Sequence, residues 1–301
     1  MKVLVTGATG LIGRSLCASL SDHANTVIGV SRSPETARGV AAAELQKWDP
    51  QSGQLPVQAL SEVDAVVHLA GEPIVANRWT EDQKKRIRDS RVLTTRALVE
   101  AFHKLEAKPV VFICGSAVGF YGDRGDEPLE ETSSPGDAFL SDVCGEWESE
   151  AAHASVLGIR VVQVRTGVVL STGGGALPKI LAPFKLGLGG RLGSGKQWFP
   201  WIHIDDIVGI FRHALNTVSL TGPVNGVAPG AATNAEFTRE LAKALHRPAF
   251  LPVPEFALRA LMGEMADALL ASQHVVPKAA TDSRYEFRYP TLAPALKSLL
   301  G

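Results

Sequence analysis

The chain begins MKVLVTGATGLIGRSL, and this stretch constrains the fold more than any other. Lys2–Thr6 is a short apolar run rich in Val and Leu, the pattern of a buried strand. Gly7, Gly10 and Gly13 follow at once, and Leu11–Leu20 carries apolar residues at helical spacing. Strand, glycine turn and helix start together make a cradle for a pyrophosphate. Gly7 permits the tight turn, Gly10 lets the backbone approach the phosphates, and Gly13 lets helix and strand pack closely. The helix start adds unpaired N–H groups and the positive end of a dipole. The spacing is Gly-x-x-Gly-x-x-Gly rather than Gly-x-Gly-x-x-Gly. The expected ligand is a dinucleotide held by these glycines with Thr9, Leu11 and Ile12 of the same loop. A purely structural turn is the alternative.

The next strand, Thr26–Val30, runs into Ser31-Arg32-Ser33. Folds that bind NAD usually place an Asp or Glu here for the adenosine ribose, and a carboxylate would repel a 2′-phosphate. A hydroxyl and a guanidinium stand here instead, and Arg32 can pair with that phosphate through two N–H donors. NADP(H) is therefore the expected cofactor, unless Arg32 merely opens a surface loop.

Further along, Ala43–Trp48 reads as a third strand and Asp64–Leu69 as a fourth, ending in Ala70-Gly71. Leu69, Ala70 and Gly71 are small or apolar residues over which a cofactor can cross the sheet edge, and His68 reads as a packing residue. Trp79–Leu105 is mostly one helix with Ile87, Thr94, Leu98 and Ala101 on one side. Arg91 shares that stripe, and a buried charge needs a partner: a cofactor phosphate or a structural carboxylate. Arg86 and Lys85 extend the basic face, Arg86 as a further candidate cofactor contact, with a solvated surface as the plainer reading. Val110–Cys114 is a strand delivering Gly115-Ser116, Asp137–Ser155 a helix, and Arg160–Val164 a strand ending in Arg165. Alternating strands and helices predict an α/β fold, a Rossmann-type doubly wound parallel sheet.

After Arg165 the character changes. The stretch from Thr166 to Trp201 is rich in glycine and aromatics, as expected of a mobile flap or substrate wall. Trp201–Asp206 then reads as a strand entering a helix capped by Asp205 or Asp206; strand alternation and a cap explain His203 and these aspartates better than a metal does. Val224–Val227 is a further strand, Asn234–Leu245 an amphipathic helix capped at Thr233 or Asn234, Val275–Pro277 an extended piece, and Leu292–Leu300 a final helix. The expected division is a cofactor-binding domain over 1–165, with 201–227 returning to it, and a smaller α+β C-terminal substrate domain over most of 166–301.

With 301 residues the chain can bury a full core, and its formal charge of −1 suggests neither a nucleic-acid partner nor an acidic membrane surface. Three scattered cysteines make neither a disulfide framework nor a zinc site and fit a reducing compartment. No run reaches the length of a membrane span, and the glycines at 7–10 interrupt anything like a signal start, so the expected location is cytoplasmic.

These residues resemble the extended short-chain dehydrogenase/reductase superfamily. VTGATGLIG is similar to its glycine motif, DAVVHLAG to its fourth strand, GSAVGFYG to its serine-bearing strand, and WIHIDDIV to a later strand and helix. More narrowly, GEPI…RW, SRVLTTRALVEA, RTGVVL, LGSGKQWFPWIHIDD and NGVAP…TNAEF resemble one atypical, epimerase-like branch with a C-terminal domain of unassigned function. The resemblance implies that the cofactor is bound by the glycine loop, Ser31, Arg32, Leu69 and Ala70, with Arg91 and Arg165 as further contacts. It also implies a catalytic Ser with a Tyr and a Lys four positions later, the Lys lowering the pKa of the Tyr that exchanges a proton with substrate. Ser116 matches the serine, but the Tyr and Lys positions read Leu140 and Cys144. Leucine transfers no proton, and cysteine does not replace the cation. Tyr121 is the substitute acid or a packed aromatic; Cys144 is a candidate nucleophile with nothing cationic in its local sequence. Relatives often pair through the helices that would here be 79–105 and 137–155, implying a homodimer.

Two function classes follow. The first is an NADP(H)-dependent epimerase-like or oxidoreductase enzyme acting on an unidentified small molecule, with Ser116, Tyr121 and Cys144 as candidate catalytic residues. The second is an NADP(H)-binding redox sensor with little or no catalysis. The retained serine and full substrate domain favour the first; the missing Tyr/Lys pair favours the second.

Overall fold

A computed structural model describes residues 1–49, 57–75 and 77–301. In chain order, β1 (Lys2–Thr6), α1 (Leu11–Asp22), β2 (Thr26–Ser31) and β3 (Glu44–Lys47) precede α2 (Val57–Leu60), β4 (Ala65–His68) and α3 (Glu81–His103). Then come β5 (Val111–Ala117), β6 (Pro128–Leu129), α4 (Phe139–Ala152) and β7 (Arg160–Thr166). The principal sheet gains one last strand further on, after β8 (Val168–Leu170), α5 (Leu177–Lys185), β9 (Trp201–His203) and α6 (Ile204–Asn216): this is β10 (Gly222–Gly226).

The sheet has seven strands in the order β10-β7-β5-β4-β1-β2-β3, and every pairing is parallel. Strand order reverses between β1 and β4, the place where such sheets bind ligands beyond their carboxyl ends. Two-residue periodicity builds the layers. Val3 and Val5 of β1, with Val111 and Ile113 of β5, enter the core shared with α1 and α6. Leu4 and Phe112 point the other way, into the core under α3 and α4. Both faces are covered, so the strands are apolar almost throughout. The fold is the Rossmann-type α/β architecture expected from the sequence.

The remaining chain supplies α7 (Asn234–Leu245), α8 (Glu255–Met262), α9 (Met265–Leu270), β11 (His274–Val275), α10 (Lys278–Asp282) and α11 (Leu292–Leu300). Helices α5, α7 and α11 share a separate core around Phe184, Phe237 and Leu296. Thr233 caps α7 in a reciprocal box with Glu236, each satisfying an N–H of the other's turn.

Two expectations need correction. The glycine-rich stretch after Arg165 holds regular structure, β8 pairing with β9 and α5 starting with Pro178 in its first turn, a position proline suits. Helix α6 is capped by His203, whose Nδ1 accepts from the Asp205 N–H at 3.0 Å, not by an aspartate. Asp206 is buried instead, accepting from the backbone N–H groups of Arg288 at 2.7 Å and Tyr289 at 2.9 Å. It thereby fixes the chain entering α11.

Candidate functional site at the carboxyl ends of the strands

The glycine loop follows β1 directly. Gly7 has φ +68°, and a Cβ there would lie 2.7 Å from the Leu69 carbonyl carbon. A Cβ on Gly13 would lie 2.1 Å from the Gly7 oxygen, so the helix can reach the loop only without one. Gly10 is the N-cap of α1; no side chain caps the helix, and its first turn holds no acid. Its leading N–H groups are therefore free for an anion, and the cradle fits a dinucleotide pyrophosphate. Thr9 and Leu11, with Ile12, lie half-buried along the loop. Arg14, absent from the sequence reading, ties the loop down: its guanidinium donates to the carbonyls of Thr9 and Arg38.

At the end of β2, Arg32 is exposed, and the Ser31 hydroxyl accepts from the Ser33 N–H. Leu69 and Ala70 sit directly beside Gly7, their N–H groups donating to the Thr6 hydroxyl at 3.2 and 3.3 Å. With two donors received, that hydroxyl gives its own proton to His68 Nδ1, 2.6 Å away. His68 is fully buried, and burial first, the nearby Arg91 charge second, lowers its pKa to about 3. Neutral above 6.5 in either state, it lets the unfolded chain alone gain a proton as pH falls from 6.5 towards 3. Stability is expected to decline across that window. Urea unfolding at several pH values should show a shallower decline for His68→Asn; identical declines would contradict this.

Arg91 and Arg86 both project from α3. Arg91 is half-buried beside Gly71, and its guanidinium donates to the main-chain carbonyls of Ile87 at 2.9 Å and Glu72 at 3.0 Å. Of the two partners expected for it, no structural carboxylate bonds it among the described residues; the Ser90 hydroxyl lies 3.5 Å from the guanidinium and the Trp147 ring 5.3 Å from the cation. Arg86 is exposed and bonded to Gln83 on its own helix.

A second cluster lies beyond β5 and β7, where Ser116 and Arg165 are register partners. Glu148 of α4 joins them. The Ser116 hydroxyl donates to Glu148 Oε1 at 2.6 Å, and Arg165 grips both oxygens of the same carboxylate, each at 2.8 Å. Arg165, 4% exposed, donates further to the Tyr121 hydroxyl at 2.9 Å and the Glu131 carbonyl at 3.0 Å. Four of its five N–H groups are used inside the protein.

Tyr121 is fully buried, its hydroxyl 2.7 Å from Asn225 Oδ1 and 3.1 Å from the Glu130 carbonyl. Burial raises its pKa against the pull of Arg165, so it stays protonated and faces no solvent. Cys144 is also buried, beside the Ser116 hydroxyl, with Arg91 and Glu148 acting on it electrostatically. A cation is thus near it after all, brought from a distant helix. Burial nevertheless dominates and pushes the thiol to about 11, far from the range of a reactive thiolate. Leu140 lies against Gly119, where a Cβ would meet its side chain at 3.1 Å.

Glu148 is the residue that sequence reading missed. It stands four positions after Cys144, hence on the same helix face, which is the one signal that pointed to it.

Residues 3–225 match the NAD dependent epimerase/dehydratase family, and residues 253–299 match a domain of unknown function, DUF1731. The chain is 40% identical over 305 residues to the human epimerase family protein SDR39U1, covering all of both chains. It is 36% identical over 302 residues to the epimerase family protein YfhF of Bacillus subtilis, covering 100% of this chain and 98% of that protein. The crystal structure of human SDR39U1 (isoform 2) with NADPH superimposes with a TM-score of 0.89 at 39% identity, covering 100% of this chain and 99% of that one. The UDP-glucuronic acid 4-epimerase of Bacillus cereus, at 21% identity and a TM-score of 0.78, shares the fold. By these matches and by its own glycine loop and sheet order, the chain belongs to the NAD dependent epimerase/dehydratase family.

Proposed function

We propose that this protein binds NADP(H) and is an epimerase-like or oxidoreductase enzyme for a small molecule, with Ser116 and Glu148 replacing the missing Tyr/Lys pair. The observation that carries it is the 2.6 Å bond from the Ser116 hydroxyl to Glu148 at the carboxyl end of β5. The bound cofactor would supply hydride transfer at its nicotinamide. Ser116 orients the substrate oxygen and passes a proton between that oxygen and Glu148 Oε1; Arg165 holds the carboxylate in place. In the oxidising direction Ser116 would pass the hydroxyl proton of a substrate alcohol to Glu148 Oε1, and the bound cofactor would take up the hydride. Gly7, Gly10 and Gly13 hold the pyrophosphate, Arg32 the 2′-phosphate, and Leu69, Ala70 and Gly71 line the adenosine path. The exposed Arg86 and the carbonyl-bound Arg91 are assigned to the cofactor side of the cleft, whereas Arg165 and the buried Tyr121 are assigned to support of Glu148. The NADPH in the human relative's structure supports the cofactor reading. Three free, buried cysteines support a reducing, cytoplasmic setting, and no helix among the described residues is long and apolar enough to cross a membrane.

Turnover tests this. With a panel of carbonyl substrates and NADPH, followed by loss of reduced-nicotinamide absorbance, Ser116→Ala is expected to lower kcat by about 10²–10⁴-fold, the usual worth of acid–base catalysis. NADPH affinity should stay unchanged. Full turnover in the variant would contradict the assignment. The sensor reading draws support from Leu140 in place of the tyrosine and from a Tyr121 hydroxyl committed to Asn225. Tight NADPH binding with no turnover on any substrate would favour it.

A further inference from the structure

A cavity with a volume of about 890 Å³ lies between α7 and the 246–252 segment. Arg191, Arg239, Lys243 and Arg247 all line it. Two carboxylates of α7 oppose them: Glu240 Oε1 is 2.9 Å from Lys243 Nζ and 3.4 Å from Arg239 Nε, and the Glu236 charge also acts on Arg239. Glu236, also on α7, is turned back to cap Thr233. Among the described residues, Arg191 and Arg247 form no ion pair and no side-chain hydrogen bond. An excess of positive charge is therefore gathered here in a chain whose net charge is −1.

The walls have a second character. Ala235, Ala242, Pro248 and Pro252 make them apolar, and Phe250 stands at the cavity 73% exposed. Such a ring offers a flat stacking surface. At the carboxyl end of α7, which would repel an anion, two of the last carbonyls are bonded within the chain. His246 adopts a left-handed φ of 52°, and the N–H groups of His246 and Arg247 bond the carbonyls of Lys243 and Ala242. That turn also sets Arg247 at the cavity.

The site is distinct from the cofactor cradle. Arg191 and Pro252 line the cavity, whereas their neighbours Leu192 and Val253 pair with each other in a β-bridge, and none of the glycine-loop residues contributes. We propose that this cavity is a second binding site, for a phosphorylated small molecule carrying an aromatic or apolar group. Arginine forks match phosphate oxygens, and the volume falls in the range of small-molecule sites, about 300–1,000 Å³.

Calorimetric titration of the intact protein with ADP, pyrophosphate and citrate, each with and without saturating NADPH, tests it. ADP is expected to bind with NADPH present, more tightly than pyrophosphate and about tenfold or more tighter than citrate. Arg191→Ala/Arg247→Ala should weaken ADP binding about tenfold or more, as expected when charge-assisted contacts worth some fraction of the binding are lost. Phe250→Ala should erase the advantage of ADP over pyrophosphate. All variants should keep the NADPH affinity of the parent, which also shows that they fold. ADP binding that vanishes under NADPH, that is untouched by the double substitution, or that citrate equals would overturn the proposal.

Discussion

Replacing Arg165 with methionine is expected to destabilise the protein by about 3–5 kcal/mol, the cost of breaking a buried ion pair by removing one partner. The side chains of Arg165 and Glu148 are 5% and 12% exposed, and the pair is bidentate. Methionine fills most of the volume but leaves the Glu148 carboxylate with the Ser116 hydroxyl as its remaining hydrogen-bond donor. It also strips donors from Tyr121 and the Glu131 carbonyl. Urea unfolding measures the loss. Arg165→Met/Glu148→Leu should recover much of it, because no lone charge then stays buried. Equal stability of wild type and Arg165→Met would show that this pair lies in water rather than in the core.

The second large effect falls on Gly13. An alanine there places its Cβ 2.1 Å from the Gly7 oxygen and 2.9 Å from the Ala8 Cα, both backbone atoms. Loop and helix must part, costing about 1–3 kcal/mol of overpacking. The same movement takes the helix N–H groups away from the pyrophosphate position, so NADPH affinity should fall by about tenfold or more, 1.4 kcal/mol being one factor of ten. Gly145→Ala is the control: a Cβ there meets nothing within 4 Å, and it sits inside α4. It is expected to stabilise the protein by about 0.5–1 kcal/mol through helix propensity. Fluorescence titration and urea unfolding on the two variants separate cradle from helix. An NADPH affinity unchanged by Gly13→Ala would mean that this helix start does not hold the phosphates.

The central sheet was legible because its signal is local. The continuous apolar runs of β1 and β5 and the helical stripe of α3 are written in consecutive residues, and the predicted bounds of β1, α7 and α11 coincide with the observed ones. The stretch after Arg165 misled because glycines read as mobility, while the helix signal of Pro178 was set among them. His203 was not read as a cap because aspartates beside it are the commoner choice. The site was legible only in part. Ser116 and the glycines follow from motifs, but Glu148 is one of three similar acids, with Glu146 and Glu150, on the same helix. Which of them turns inward depends on where α4 crosses β7. The structure settles it by pairing Glu148 with Arg165, Glu146 with Arg88 and Glu150 with Arg96. Likewise, the burial of Tyr121 depends on Asn225, far along the chain.

NADP(H) binding at the glycine cradle, read through Arg32, is the claim on which the rest depends. Intrinsic fluorescence, with five tryptophans in the chain, follows titration of the protein with NADPH and NADH. The account predicts that NADPH binds about tenfold or more tighter than NADH, through charge-assisted bonds to the 2′-phosphate, and that Arg32→Glu removes this preference. Equal affinity of the wild-type protein for the two cofactors, or a preference that survives Arg32→Glu, would contradict it.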